Sequence, residues 1–306
     1  MRPDARMPET NADNTSSPPP SAPAGGQAAA DKSKFVRNTL ARLGTAVIGI
    51  PILLYLMFWA PWYGFQIVVM LAIARASYEL FRMTMHGVPA LQAWGVIATV
   101  ATSATLTFGS DQPEALVTLV IAIAAIGSLA GLIKPEPHDA AGVRTAWLIA
   151  GPLYVGALFG SLAMLHRFEH GGQWVLLSMW LAWASDTGAY FAGRFFGKTK
   201  LYPKVSPSKT VEGSIGGLLG SLTGGLAAHF GFLPELPLVD AIVLSLVGGA
   251  LGQMGDLVES LIKRSTGIKD SGSILPGHGG LLDRVDALMF TGTACLLYCI
   301  WILPLR

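Results

Sequence analysis

The chain has 306 residues, of which 52% are hydrophobic and only 13% charged, and its mean hydropathy is +0.51. A soluble domain carries about 25% charged residues, so the composition excludes a water-facing globule of this size and leaves a bilayer as the solvent. A net charge of +2 names no partner in bulk, and no nucleic acid is expected.

Residues 1–34 contain the run NTSSPPPSAPAGGQAAA, which lacks the apolar mass needed to repay ordering; a disordered cytoplasmic tail is expected there. No cleavable signal peptide is expected before the first apolar stretch, which is too long and too late for one. From there, apolar segments recur at about 43–60, 63–81, 91–108, 114–133, 145–165, 173–193, 211–231, 238–258 and 285–303. Each has the ~20 residues that cross a ~30 Å hydrocarbon core as a helix. They are continuously apolar rather than alternating, which favours helices over a barrel. The expectation is an all-α, polytopic transmembrane bundle of about nine helices. Residues 35–165 form its N-terminal helices and 166–306 a C-terminal catalytic half.

The basic residues orient the bundle. With the N-terminus in the cytoplasm, only Arg167 and Arg306 fall outside and Arg75 within a span; every other Lys and Arg lies inside. That is the positive-inside pattern. The expected location is a bacterial plasma membrane, with the basic loops facing the cytoplasm. Cys295 and Cys299 share one face of the last span and read as small apolar side chains. In the seventh span Gly216, Gly220 and Gly224 recur every fourth residue, as do Gly217, Ser221 and Gly225. Such rows bring helices close together. Internal packing is the preferred use, with a homodimer seam as the alternative.

Ionisable residues inside the spans mark chemistry. Arg75 and Glu79 stand at i,i+4 in the second span and read first as a structural ion pair, with support of a site as the second reading. Asp186 lies eight residues before Arg194, and Asp256 seven before Lys263, so both sit roughly 10–12 Å inside the same face. A charge at that depth costs at least about 2.5–3.5 kcal/mol unless hydrated or paired, and neither has a basic partner within a turn. A polar cavity open to the cytoplasm is the expectation.

Two loops flank these helices. The first, from Lys198 to Gly213, places Ser206, Ser208, Lys209 and Thr210 at the entrance of the seventh helix, where hydroxyls and a lysine attract anions. The second reads SLIKRSTGIKDSGSILPGHGGLLDRVD from Ser260 to Asp286. Lys263, Arg264, Lys269 and Arg284 bring positive charge, and Gly277, Gly279 and Gly280 let backbone N–H groups approach a phosphate. Asp283 and Asp286 open the ninth helix on one face. Carboxylates beside basic groups suit a divalent cation shared with phosphate oxygens, and Mg²⁺ is commonly held that way.

The second loop resembles the signature of the phosphatidate cytidylyltransferase (CDP-diacylglycerol synthase) family. Ser260, Lys263-Arg264, Lys269-Asp270, Gly272, Leu275-Pro276, His278-Gly279-Gly280, Asp283-Arg284 and Asp286 match without a gap. The SDTGAYFAGR and SPSKTVEG stretches are similar to the family too, so the resemblance covers about residues 35–306. It implies transfer of CMP from CTP to phosphatidate, giving CDP-diacylglycerol and pyrophosphate. It also implies Mg²⁺ on Asp256 and Asp283; a second, monovalent cation is compatible with it. Asp286, Asp186 and Asp270 take supporting or additional metal roles. Lys209, Lys263, Arg264, Lys269 and Arg284 neutralise phosphates. Ser206, Ser208, His278, Gly279 and Gly280 contact substrate. A different lipid phosphate as acceptor is one alternative, and a transporter of a phosphorylated solute is another.

Overall fold

The computed structural model describes residues 47–268, 271, 272 and 279–305. Within them the chain forms α1 (Val47–Phe58), α2 (Trp62–Thr84), α3 (Pro89–Phe108), α4 (Pro113–Gly131) and α5 (His138–Leu165). Then follow α6 (Gly171–Phe196), strands β1 (Lys200–Tyr202) and β2 (Ser206–Thr210), α7 (Val211–Phe232), α8 (Leu238–Ser265) and α9 (Leu282–Trp301). Nine helices thus answer the nine apolar stretches. Six of them, α2, α3, α4, α5, α7 and α8, are long and apolar enough by length and composition to cross a membrane. Large side chains such as Ile67, Leu71, Leu129 and Val239 are exposed on their outer faces, as lipid-facing positions should be.

Three elements differ from the sequence expectation. Helix α5 begins at His138 and continues through a π-helical turn at Pro152–Ala157. Pro152 lacks an N–H to donate, and the wider turn carries the rod past it. Helix α8 runs on to Ser265, so Ser260–Ser265 is helix rather than loop. The extension buries Glu259 against Lys263 at i,i+4 and ends with basic residues, which suit a helix C-terminus. Finally, the loop after α6 contains a two-stranded antiparallel hairpin, pairing Lys200 with Thr210 and Tyr202 with Ser206.

Helix α7 packs most closely on α6, and α8 packs on both α7 and α9. The glycine rows are used inside the chain. A Cβ at Gly220 would lie 2.1 Å from the Ala184 carbonyl oxygen, so α6 and α7 touch backbone to backbone. In the adjoining row Ser221 is buried and also donates to α6, to Leu181 O at 3.0 Å, while Gly225 faces Ser245 of α8. One apolar core joins the two halves: Phe65, Ile73 and Leu80 of α2 cluster with Leu177 and Leu181 of α6 and with Met289 and Cys295 of α9. Cys295 and Cys299 are both free and buried.

A carboxylate-rich cavity at one end of the bundle

Four helix ends and the hairpin converge on a cavity of about 600 Å³. The C-terminal half of α6 supplies Asp186, Tyr190 and Arg194. The end of β2 and the start of α7 supply Ser208, Lys209, Thr210, Gly213 and Ser214. Helix α8 adds Gln253, Asp256 and Lys263, and the first turns of α9 add Asp283, Arg284 and Asp286.

Local chemistry fixes each contributor. Thr210 has an extended backbone and its hydroxyl accepts the Gly213 N–H at 3.1 Å, an N-cap that starts α7. Two residues on, Glu212 accepts the N–H groups of Lys198 and Thr199, each at 3.1 Å, and ties the start of the hairpin to the start of α7. Lys209 is thereby held at the cavity wall, where its Nζ lies 2.7 Å from Asp256 Oδ2. Ser260 Oγ donates to the other oxygen of Asp256 at 3.4 Å. One turn before Asp256, Gln253 Nε2 donates to the Ser214 carbonyl at 3.0 Å, and its Oε1 accepts from the Ser214 hydroxyl. The absent basic partner of Asp256 therefore comes from another helix entrance, beyond the reach of spacing arguments.

A second cluster surrounds Asp283. Lys263 Nζ is 2.8 Å from Asp283 Oδ1 and also pairs with Glu259, whose side chain is fully buried. Asp283 Oδ2 accepts the N–H groups of Gly280 at 2.9 Å and Ser271 at 3.1 Å. The Gly280 N–H is thus directed at Asp283. Gly279 has φ +77°, the left-handed region open to glycine.

Of the residues expected from sequence, Asp186, Ser208, Lys209, Asp256, Lys263, Asp283, Arg284 and Asp286 line this cavity together. Ser206 is set back along β2, its Oγ 3.5 Å from that of Ser208. Gly279 and Gly280 adjoin Asp283, and Arg264 is exposed beside Lys263 on α8. Lys269, Asp270 and His278 lie outside the described residues. Glu259, Gln253 and Glu212 were assigned no role from sequence. Glu259 was legible in principle, being three residues after Asp256 and four before Lys263. The Gln253–Ser214 link spans 39 positions and leaves no local signal.

The donor set fits a hard divalent cation of restricted kind. Asp256 and Asp283 present carboxylate oxygens to one cavity, and each now faces a lysine ammonium. Among the described residues, no group of three or more His, Cys, Asp or Glu side chains is arranged to hold a metal. The arrangement therefore suits an ion gripped by one or two carboxylates with substrate phosphates completing the shell, as Mg²⁺ accepts.

The cavity thus sets acidic side chains against lysines at one end of an apolar helical bundle. Residues 40–302 match the model of the cytidylyltransferase family, and the chain belongs to that family. It is 39% identical over 150 residues to a phosphatidate cytidylyltransferase of Bacillus subtilis (strain 168), covering 48% of this chain and 55% of that protein. It is 45% identical over 149 residues to the phosphatidate cytidylyltransferase of Staphylococcus saprophyticus, covering 47% and 55%. The protein of that name in Staphylococcus aureus (strain COL) is 43% identical over 145 residues, with the same coverage. The chain spans about half the length of the curated relatives it matches.

Proposed function

We propose that the protein is a phosphatidate cytidylyltransferase, joining CTP and phosphatidate into CDP-diacylglycerol and releasing pyrophosphate. The observation that carries this reading is the single cavity lined by Asp186, Asp256, Asp283 and Asp286 together with Lys209, Lys263 and Arg284. One substrate is a soluble polyanion and the other is anchored in lipid. A polar cavity at the end of an apolar bundle lets them meet.

In the proposed reaction a phosphatidate oxygen attacks the α-phosphorus of CTP. The bond from that phosphorus to the β-phosphate oxygen breaks, and pyrophosphate leaves with the electron pair. The lipid phosphate is already ionised near neutral pH, so no side chain need act as a strong base. What the protein must supply is positioning and charge neutralisation. Lys209, Lys263 and Arg284 neutralise phosphate oxygens, and the Ser208 hydroxyl donates to one. Asp256 and Asp283 would hold Mg²⁺, which when bound neutralises and orients the triphosphate. Asp186 and Asp286 support that charge balance from the same wall. In this reading the cavity faces the cytoplasm, where CTP is made, and the positive-inside pattern supports that orientation.

The test uses full-length protein in liposomes containing phosphatidate, with labelled CTP and Mg²⁺. Wild type should form labelled CDP-diacylglycerol and pyrophosphate in equal amounts. Asp283→Asn should lose about 100-fold or more in turnover, as when a positioned charged group is removed, while inserting normally into the membrane. Near-wild-type turnover by Asp283→Asn would remove that residue from the reaction. Product formed only with a different lipid phosphate would replace phosphatidate as acceptor.

A further inference from the structure

Glu79 lies on α2, none of whose residues lines the cavity, yet it is 1% exposed and its carboxylate reaches the start of α9. Its Oε1 pairs with Arg75 Nη2 at 2.9 Å. Its Oε2 accepts the Leu282 N–H at 2.8 Å and the Ser271 hydroxyl at 3.2 Å. Leu282 is the first residue of α9, and the residue at its N-cap position, Leu281, offers no capping side chain. The first helical N–H is therefore satisfied by a carboxylate from a different helix, 203 positions earlier in the chain. A negative charge there also suits the positive end of α9. Space has been cleared for this carboxylate: a Cβ on Gly280 would lie 2.6 Å from Glu79 Oε2, and one on Gly272 would lie 2.7 Å from Oε1.

We propose that Glu79 is a positioning residue for the catalytic end of α9. It holds the Ser271–Gly272 and Gly280–Leu282 backbone together, and so sets the direction in which the next residues, Asp283, Arg284 and Asp286, enter the cavity. Ser271 makes the link direct, because its hydroxyl goes to Glu79 while its N–H goes to Asp283. Arg75, whose guanidinium also lies 5.3 Å over the Tyr78 ring, balances the buried charge. A plain ion pair within α2 would need neither the glycines nor the α9 contact.

The proposal rests on the transferase reading for its kinetic arm, and an exchange measurement separates the two. In Glu79→Ala, amide exchange across residues 279–290 should quicken about tenfold, the scale of one lost charge-assisted hydrogen bond. Turnover should fall about 100-fold, as for a ~1 Å misplacement of positioned groups, with KM for CTP within about threefold of wild type. Glu79→Gln should recover most of that turnover, because an amide oxygen still accepts from Leu282 and Ser271. Gly272→Ala, which pushes on the carboxylate from the other side, should lower turnover as Glu79→Ala does, and combining the two should add little. Glu79→Gln and Gly272→Ala, each measured against wild type, carry the test if Glu79→Ala does not fold, and wild-type turnover and exchange in Gly272→Ala then overturn it. Unchanged exchange at 279–290 in Glu79→Ala overturns the proposal, as does a Gln variant no better than Ala. An inactive wild type with quickened exchange in Glu79→Ala would sink the transferase reading and leave the positioning role standing.

Discussion

Replacing Lys263 with methionine probes the most charged part of the core directly. Among the described residues, Lys263 is the cation paired with Glu259, whose side chain is 0% exposed, and also with Asp283, whose side chain is 12% exposed. Methionine keeps the aliphatic length and removes the charge, stranding Glu259 in an apolar surround. Breaking a buried pair from one side costs about 3–5 kcal/mol, whereas replacing both members with apolar residues is often neutral. Asp283 still keeps the Gly280 and Ser271 N–H groups, so the cost falls mainly on Glu259. At roughly 2 °C per kcal/mol for a chain of this size, Lys263→Met should lower the melting temperature by roughly 6–10 °C. The paired variant Glu259→Met/Lys263→Met should recover all but about 2 °C of that, despite having no activity. The assay is already in the protein: its two cysteines, Cys295 and Cys299, are both buried in the core, so a thiol-reactive fluorogenic dye reports unfolding in detergent. A single variant that melts with wild type, or a paired variant as unstable as the single one, would refute the claim that Lys263 is what makes Glu259 tolerable.

Other variants test separate parts of the structure. Asp256→Asn should cut CDP-diacylglycerol formation by about 100-fold or more, measured with labelled CTP, and should leave the melting temperature near wild type because its side chain is 34% exposed. Thr210→Ala removes the cap of α7 and should cost about 1 kcal/mol in thermal melts, whereas Thr210→Ser should restore it. Gly220→Ala places a methyl 2.1 Å from the Ala184 carbonyl and should destabilise by about 1–3 kcal/mol through overpacking; a neutral result would mean that α6 and α7 sit farther apart than described.

The helices were legible because a bilayer demands long apolar runs, and those runs survive in sequence whatever the packing. Their ends were less so. Helix α8 outlasts its apolar stretch by seven residues, since Glu259 and Lys263 neutralise each other and Lys263 also reaches Asp283. A hydropathy reading stops at the charge; the helix does not. The hairpin between α6 and α7 escaped notice because its strands have three and five residues, too short to show a period. For the site, carboxylates at matched depth and basic loops were enough to bring Asp186, Asp256, Asp283, Lys209 and Lys263 to one cavity. The contacts behind them were less so: Gln253 reaches Ser214 across 39 positions, and for Glu79 the sequence offered support of a site only as a second reading, with its partner Leu282 203 positions away. Spacing along one helix carries no information about either.

The glycine row on α7 leaves one matter undecided that other groups must decide. A row that repeats every fourth residue resembles a rack with equal teeth: slide it four residues, ~6 Å along its axis, and a glycine again meets α6. Packing alone would tolerate the wrong notch. What selects one notch is polar: Ser221 on the Leu181 carbonyl, Ser214 on Gln253, and Lys209 on Asp256 at the helix entrance. The Lys209–Asp256 pair proposed for chemistry thus also acts, with the two serine contacts, as the stop that tells α7 how far to go. Stripping them away would threaten the register of the bundle as well as its turnover.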